Sequence, residues 1–451
     1  MLLLCAVSAA TGSYFAFLFS RYSDFDSTAE HVDADAKAYR AAGWAWESKD
    51  IIEGPQREED DGDPLFNKAV KQLGLLKTPA KPEPIMELIN QGRFKEADIQ
   101  LQPLAPILDE VKRAVSKQSL DLGIDPDRFG EGGSQILSSL RQFVRLLCLR
   151  ARCRASDGRE ESAIDDLGVA WKLGVRTSRM PSTTAIMVGF SVEALVLGEV
   201  EAYAGKWINR PDLRGRLNAL LGSDKDLPDI QRLYRVRAYE GLVCYRNFEH
   251  PIDALASSGE IPGANSGPGI TSTHPDQAVR TGLPKESKSR AYAARHFQLW
   301  CEVAPAIRDE AADPIALAKS LRKIADGWGR RQTGSAIAAG IESSALPEFA
   351  TAIGRIRAQA IVTKALMAAM DVKQKMGNWP NSASQIPGTW DDPFSHQPLH
   401  VKSSKSEVRI YSLGPDMKDD GGTRRAELGK GAATSAYDIV ASYPPYISNH
   451  I

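Results

Sequence analysis

Apolar residues recur at every third or fourth position along much of this 451-residue chain, and this spacing constrains the fold more than any other feature. In the segment Ile136–Ala151, for example, Leu140, Phe143 and Leu147 continue the pattern. Because an α-helix completes a turn in about 3.6 residues, these side chains fall on one face of a helix. The sequence therefore predicts a mainly α fold, with an α-helical body over residues 81–345.

Two short breaks divide this body into helical hairpins, one at Asn90-Gln-Gly-Arg93 and one at Asp157-Gly158. The arrangement loosely resembles the helical hairpins of tetratricopeptide repeats, although the full repeat signature is absent. Large membrane-anchored bacterial envelope proteins contain similar hairpins, and the chain resembles them in this respect. An α-hairpin array and an irregular bundle fit the same spacing. We predict antiparallel helices across Asp157-Gly158 and no regular β-strand between Pro82 and Ala256.

A very apolar segment, Ala185–Tyr203, follows Ser182-Thr183-Thr184, whose side chains are typical of a helix N-cap. The segment carries Glu193 and Glu199. A charge near the centre of a helix in lipid is costly, and the apolar pieces between the charges are too short to span a bilayer. We therefore predict a buried central helix rather than a second membrane span.

Residues 1–20 contain no charged side chain, and Arg21 follows them directly. Twenty helical residues rise about 30 Å, which matches the hydrocarbon core of a bilayer. The sequence predicts an uncleaved, single-pass membrane helix here, with the bulk of the chain on the extracytoplasmic (periplasmic) side of the cell membrane. A cleaved signal peptide, with Val7-Ser8-Ala9 as the cleavage site, is the alternative.

Two polar segments separate these parts of the chain. Residues 21–80 are acidic, so we predict a solvated spacer, and residues 257–289 are rich in Gly, Pro and Ser, which predicts a loop. The formal net charge is −1, so the composition gives no general attraction to nucleic acid. Protein partners and the membrane are the predicted contacts.

The apolar pattern changes at Gly377, and residues 346–451 are predicted to form a small α+β domain. Before that glycine, helical spacing predicts one long helix, Leu346–Met376. After it, the short apolar runs Leu399–Val401 and Val408–Leu413 flank a polar turn. The simplest arrangement of these two runs is an antiparallel hairpin in a short sheet.

Four motifs follow one another in this region: Gly377-Asn-Trp-Pro380, Asp392-Pro-Phe-Ser395, Ser412-Leu-Gly-Pro-Asp416 and Asp438-Ile439. Behind a long helix and in this order, they resemble the globular head of the major pseudopilins of type II secretion, over roughly residues 361–442. The resemblance implies a calcium loop, with the side chains of Asp416 and Asp438 and the backbone carbonyl of Leu413 as ligands.

The chemistry of this loop favours the same ion. Calcium takes six to eight oxygen ligands in a flexible cage. Carboxylates come from Asp416, Asp419, Asp420 and Asp438, while nearby glycines let the backbone turn its carbonyls inward. Clustered aspartates repel one another, and this repulsion destabilises the loop. A bound cation would remove the repulsion. A solvated acidic turn is the alternative.

Two features depart from the pseudopilin pattern. Residues 423–437 make the loop longer than usual and add positive charge. In addition, the long helical body lies between the predicted membrane helix and the head, so the resemblance does not imply assembly into a pseudopilus.

Motifs of common enzyme classes, such as a Walker loop, GxSxG or HExxH, do not occur in the sequence. Glu193 and Glu240 lie in apolar helical segments, where a carboxylate must be paired or protonated. An acid/base pair would make the body a hydrolase, whereas ion pairs with Arg235, Arg237 or Arg246 would make both carboxylates structural. We favour a non-catalytic interaction or structural protein with a calcium-stabilised tail; the hydrolase is the alternative.

Overall fold

The computed structural model describes residues 31–52, 58–75, 81–127, 133–222, 227, 229–247, 287–331, 339–340, 343–424 and 437–445. Across these ranges the chain is mainly helical, with one small antiparallel sheet of three strands. This confirms the predicted mainly α fold with a short antiparallel sheet. The predicted membrane helix, residues 1–20, lies outside the described residues, as does the predicted loop except for residues 287–289, which begin a helix.

The helices of the described ranges are, in chain order, α1 (Val32–Ala41), α2 (Asp63–Gly74), α3 (Pro82–Asn90), α4 (Phe94–Leu101), α5 (Ala105–Ser116), α6 (Gly133–Ser156), α7 (Glu160–Thr177), α8 (Thr183–Lys206), α9 (Pro211–Leu220), α10 (Ile230–Asn247), α11 (Ser287–Glu310), α12 (Pro314–Gly329) and α13 (Leu346–Met376). The strands are β1 (His400–Ser403), β2 (Val408–Ser412) and β3 (Ile439–Tyr443).

Apolar side chains form two hydrophobic clusters that share two helices. The first cluster joins α2 to α9, the second half of α13 and the sheet. The second joins α1, α10, α11, α12 and the first half of α13. Helix α8 contributes Val188 to the first cluster and Phe190 to the second, and α13 changes cluster between Ile356 and Ala358. The C-terminal region therefore shares a core with the helical body.

Helical hairpins occupy the part of the chain where the apolar spacing predicted them. Helices α3 and α4 meet at Gly92, and α6 and α7 meet at Asp157-Gly158. The described part of residues 82–256 contains no β-strand. Buried ion pairs hold α6 to its neighbours: Arg150 binds Asp166 of α7 through two nitrogens, and Arg152 binds Glu199 of α8.

Helix α8 is the one helix of the described ranges that is long and apolar enough to cross a membrane, by length and composition only. In the structure 67% of its most apolar window is buried, and α8 contacts α6, α7, α9, α10, α13 and β3. This agrees with a central buried helix. The predicted cap differs, because the Ser182 side chain makes no capping bond. Glu240 instead accepts a 2.7 Å hydrogen bond from the Thr183 amide.

The described part of the predicted acidic spacer contains helices α1 and α2, and α1 belongs to the second hydrophobic cluster. Val32, Ala36 and Tyr39 are buried at helical spacing, whereas Asp33 is exposed. Trp44, just after α1, donates its Nε1 hydrogen to the Trp300 carbonyl at 2.8 Å. Asp33, one of the acidic residues that indicated a solvated segment, therefore lies on the outer face of a packed helix.

The three strands lie in the order β1-β2-β3, and both pairs are antiparallel. The β1–β2 hairpin is the predicted one, with His400 opposite Tyr411. Strand β3 pairs along the other side of β2 and places Ile439 opposite Ser412. Because these two residues are partners, Leu413 at the end of β2 and Asp438 at the start of β3 lie at the same end of the sheet.

A buried charged contact ties the sheet to the body. Glu201 of α8 accepts a hydrogen bond from the Ser442 amide of β3 at 3.1 Å and pairs with Arg424, which lies within the predicted calcium loop. Arg424 also donates to the Ser442 hydroxyl at 3.0 Å. The loop is thereby anchored to the central helix at Arg424.

Candidate metal centre

Asp392 holds the start of the predicted calcium loop in position through hydrogen bonds. Its buried carboxylate accepts hydrogen bonds from the Phe394 amide and the Ser395 hydroxyl within its own turn, both at 3.0 Å. It also accepts from the Ser412 hydroxyl at 2.7 Å and the Leu413 amide at 3.0 Å. Asp392 thus joins the Asp-Pro-Phe-Ser turn to the start of the Ser-Leu-Gly loop, a role that the sequence analysis missed.

Close backbone contacts bring the loop against the segment that carries Asp438. Gly414 has a φ of +69°, and a Cβ at this position would lie 2.9 Å from the Tyr437 carbonyl oxygen. Gly422 has a φ of +74°, and a Cβ there would lie 3.1 Å from the Tyr411 ring. A side chain at either position would meet both backbone strain and steric conflict. The two glycines allow the two ends of the loop to close around Asp438.

Asp438 is 1% exposed, and only one of its carboxylate oxygens has partners. Oδ2 accepts hydrogen bonds from the Gly422 amide at 2.8 Å and the Thr423 amide at 3.3 Å. Oδ1 is buried without a hydrogen-bond partner among the described residues. Burial raises the pKa of the Asp438 carboxyl, and the nearby Asp420 carboxylate raises this pKa further. The negative charge of Asp420 therefore acts on the buried Asp438 carboxyl.

Asp419 is held beside the hydroxyl of Tyr411. It accepts hydrogen bonds from the Tyr411 hydroxyl at 3.1 Å and from the Gly421 amide at 2.8 Å. His400 Nδ1 lies 3.5 Å from the second carboxylate oxygen of Asp419. Burial raises the pKa of Tyr411 to about 12, and the charges of Asp419 and Asp438 add to this effect. The Tyr411 phenol therefore lies near both carboxylates.

The remaining predicted ligands are held at the start of the loop. Asp416 accepts a hydrogen bond from the Lys418 amide at 3.2 Å, which closes a turn within the loop. Leu413 is fixed through its amide by Asp392 and lies beside Asp438 at the end of the sheet. The hydrogen bond of Asp416 is thus made within its own turn. Leu413, in contrast, lies next to the buried Asp438.

A metal ion at this loop would have few side-chain ligands within the described residues. Within the ranges that the structure describes, no group of three or more His, Cys, Asp and Glu side chains has a metal-binding arrangement. Asp438 Oδ1 is a buried acceptor without a partner among the described residues. Calcium accepts carbonyl and water oxygens alongside carboxylates, whereas zinc sites favour several His or Cys side chains. A carboxylate acceptor of this kind favours calcium over zinc, and the calcium site stays a prediction.

The two glutamates of the hydrolase alternative have separate surroundings. Glu240 is held by the Thr183 amide at the N-terminus of α8 and by Arg237, 3.6 Å away. Glu193 lies ten residues further along α8, which corresponds to about 15 Å along the helix axis. The structure does not bring these carboxylates together as an acid/base pair.

Glu193 lies where α7 and α8 cross closely. A Cβ at Gly174 of α7 would lie 2.9 Å from Cγ of Glu193. The Glu193 side chain is fully buried, and neither carboxylate oxygen has a hydrogen-bond partner among the described residues. Burial raises the pKa of Glu193 to about 7, although Ser178 and Arg179 oppose this shift. Glu193 is therefore a buried carboxyl inside a helix crossing, with Ser178 and Arg179 as its polar neighbours.

Comparisons of this chain with protein-family models, with curated proteins and with solved structures found no match. The likeness of residues 361–442 to a pseudopilin head, and that of the helical hairpins to tetratricopeptide repeats, therefore stay predictions.

Proposed function

We propose that this chain is a non-catalytic, membrane-anchored protein of the cell envelope that binds one calcium ion in a pseudopilin-like tail and engages protein partners. The observation that supports the calcium site is the buried Asp438 carboxylate. One of its oxygens is bonded by two loop amides, and the other has no partner among the described residues. A buried charge without compensation is costly, and a divalent cation supplies that compensation.

Asp438 and Asp420 would hold the ion, with Asp419, Asp416 and the Leu413 carbonyl completing its environment. When bound, calcium supplies positive charge that neutralises the acidic loop and links the end of β2 to the start of β3. Extracytoplasmic modules bind calcium with dissociation constants as weak as about 10⁻⁴–10⁻³ M, so this small acidic set is adequate outside the cytoplasm. The proposed location and the proposed ion therefore agree.

Two observations support a non-catalytic role. Glu240 acts as a helix cap and pairs with Arg237. Glu193 lies inside a helix crossing, about 15 Å away along α8. Paired helices such as α3–α4 and α6–α7 present extended surfaces of the kind that repeat proteins use to bind partners.

Calcium should stabilise the full-length protein in detergent. The ion binds the folded loop and not the unfolded chain. Free calcium at 100 times its dissociation constant therefore adds about 2.7 kcal/mol to the free energy of unfolding. We expect the melting temperature to rise by several degrees between excess chelator and saturating calcium. Asp438→Asn should melt in chelator at the wild-type temperature or above it, since a buried charge is removed, and should not respond to calcium.

Glu407→Gln is the matched control, because Glu407 is an exposed carboxylate in the β1–β2 turn. This variant should keep the full calcium response. Equal melting temperatures of the wild type in calcium and in chelator would refute the proposed ion. An Asp438→Asn variant that still responds would refute the proposed site.

The membrane anchor makes a separate prediction. Alkaline carbonate extraction of membranes should leave the protein in the pellet, because a single apolar helix of residues 1–20 remains inserted. Release into the supernatant, together with a new N-terminus near Ala10, would show that this segment is a cleaved signal peptide.

A further inference from the structure

A groove of about 1230 Å³ lies between α12 and α13 and ends at the calcium loop. Five basic and two acidic side chains line it: Lys319, Arg322, Lys323, Arg330, Arg355, Asp326 and Glu348. The groove thus has an excess of three positive charges, whereas the whole chain has a net charge of −1. Such a concentration of one sign attracts an oppositely charged ligand.

Three of the basic side chains are available to a ligand. Lys319, Lys323 and Arg330 are exposed and make no ion pair within the described residues. Arg322 pairs with Glu348 at 2.8 Å, and both of these side chains are more than half exposed. Exposed ion pairs of this kind contribute little to the stability of the fold. A carboxylate of a ligand can therefore replace Glu348 as the partner of Arg322 at a small cost in free energy.

Arg355 connects the groove to the metal loop. Its guanidinium carbon lies 4.7 Å from the centroid of the Tyr437 ring, and it donates a hydrogen bond to the Tyr437 hydroxyl. Tyr437 directly precedes Asp438, and Pro415, which also lines the groove, belongs to the predicted calcium loop. The Arg355–Tyr437 contact therefore holds two lining side chains in position next to that loop.

We propose that this groove binds an extended, acidic peptide segment of a partner protein. Lys319 of α12 and Arg330, the C-cap residue directly after this helix, are eleven residues apart, which is about 16 Å, the length of about five extended residues. Lys319 and Lys323 are about 6 Å apart along the axis, close to the spacing of alternate residues in an extended chain. A peptide with acidic residues at alternate positions therefore matches Lys319 and Lys323, and Arg330 lies within reach of the same segment.

The acidic side chains of the groove favour a peptide over a polyphosphate. Asp326 and Glu348 would repel a nucleic acid backbone, which carries a charge at every nucleotide. A peptide can place a neutral or basic residue opposite each of them. Ile315, Ala318 and Ala352 add apolar surface for its neutral side chains. The inference rests on the interaction role proposed above and not on the calcium site.

Fluorescence polarisation with the full-length protein tests this inference. The probe is a labelled peptide of about seven residues with glutamate at alternate positions, in chelator and in calcium. We expect saturable binding in both conditions, weakened by salt. Lys319→Glu/Lys323→Glu should bind at least about ten-fold more weakly, because two attractions become repulsions. Lys319→Gln/Lys323→Gln should lie between this variant and the wild type.

Lys95→Glu/Lys172→Glu is the control, because it makes the same change in net charge at exposed lysines of α4 and α7. It should bind the peptide as the wild type does. The inference would be overturned if the wild type did not bind the peptide. It would also be overturned if the control variant bound the peptide as weakly as Lys319→Glu/Lys323→Glu does. Tighter binding of single-stranded RNA or of anionic vesicles than of the peptide would also overturn it. A failure here with a normal calcium response would leave the proposed ion site standing.

Discussion

Replacing Glu201 with alanine is expected to lower the free energy of unfolding by about 3–5 kcal/mol, the usual cost of removing one partner from a buried ion pair. The Glu201 side chain is 4% exposed and pairs with Arg424, and it also accepts from the Ser442 amide. The variant leaves the Arg424 charge without this counterion and the amide without this acceptor. Urea denaturation of the full-length protein measures the loss.

Two further variants separate the charge from the hydrogen bond. Glu201→Gln keeps an acceptor for the Ser442 amide but removes the negative charge, so we expect an intermediate loss. Glu161→Ala removes an exposed partner of Arg216 and should cost less than about 1 kcal/mol. A Glu201→Ala variant as stable as Glu161→Ala would contradict the anchoring of the sheet to α8.

The Glu193→Gln variant is expected to be more stable than the wild type above pH 7 and equally stable near pH 4.5. Burial raises the pKa of the folded-state carboxyl from 4.5 to about 7. Between these values the folded state retains a proton that the unfolded state has lost, so the wild-type stability falls as the pH rises. At about 1.4 kcal/mol per pH unit, the loss of stability approaches about 3.5 kcal/mol above pH 7.

Urea midpoints measured from pH 4.5 to pH 8 test this prediction. The difference between wild type and variant isolates Glu193 from other buried carboxyls, such as Asp166, whose pKa burial also raises. Glu161→Gln serves as the control, because Glu161 is 80% exposed, and it should follow the wild-type curve. Parallel curves for wild type and Glu193→Gln would show that Glu193 ionises normally in the folded protein.

Local patterns were sufficient to predict the elements with strong periodicity. Helix α13 begins at Leu346 and ends at Met376, as the apolar spacing and Gly377 indicated. The alternation around Val408 likewise predicted the β1–β2 hairpin. In both cases the signal lies within a short stretch of chain, where periodicity reports which face is buried.

Elements defined by distant contacts were harder to predict. Acidic composition obscured α1, although Val32, Ala36 and Tyr39 have helical spacing. The capping of α8 by Glu240 and the pairing of Glu201 with Arg424 join residues far apart in sequence. Local spacing carries no information about such pairs, so the sequence could not specify them.

The candidate metal centre was predictable in part. The motifs placed Asp438 and the acidic run close together in the predicted loop, and their role as calcium ligands stays a prediction. The sequence did not show that Asp392 would orient Leu413, although an Asp-Pro turn with a following Ser is a signal for such side-chain bonds. It also did not show that Asp438 would be buried with one unbonded oxygen. Both features depend on the sheet register.

Equilibrium dialysis of the full-length protein against calcium, followed by atomic emission, tests the proposed metal site most directly. The wild type and Glu407→Gln should each retain about one ion per chain at millimolar free calcium, the upper range for extracellular sites. Asp438→Asn should retain none under the same conditions. A wild-type protein that binds no calcium, or an Asp438→Asn variant that binds as much as the wild type, would contradict the proposed site.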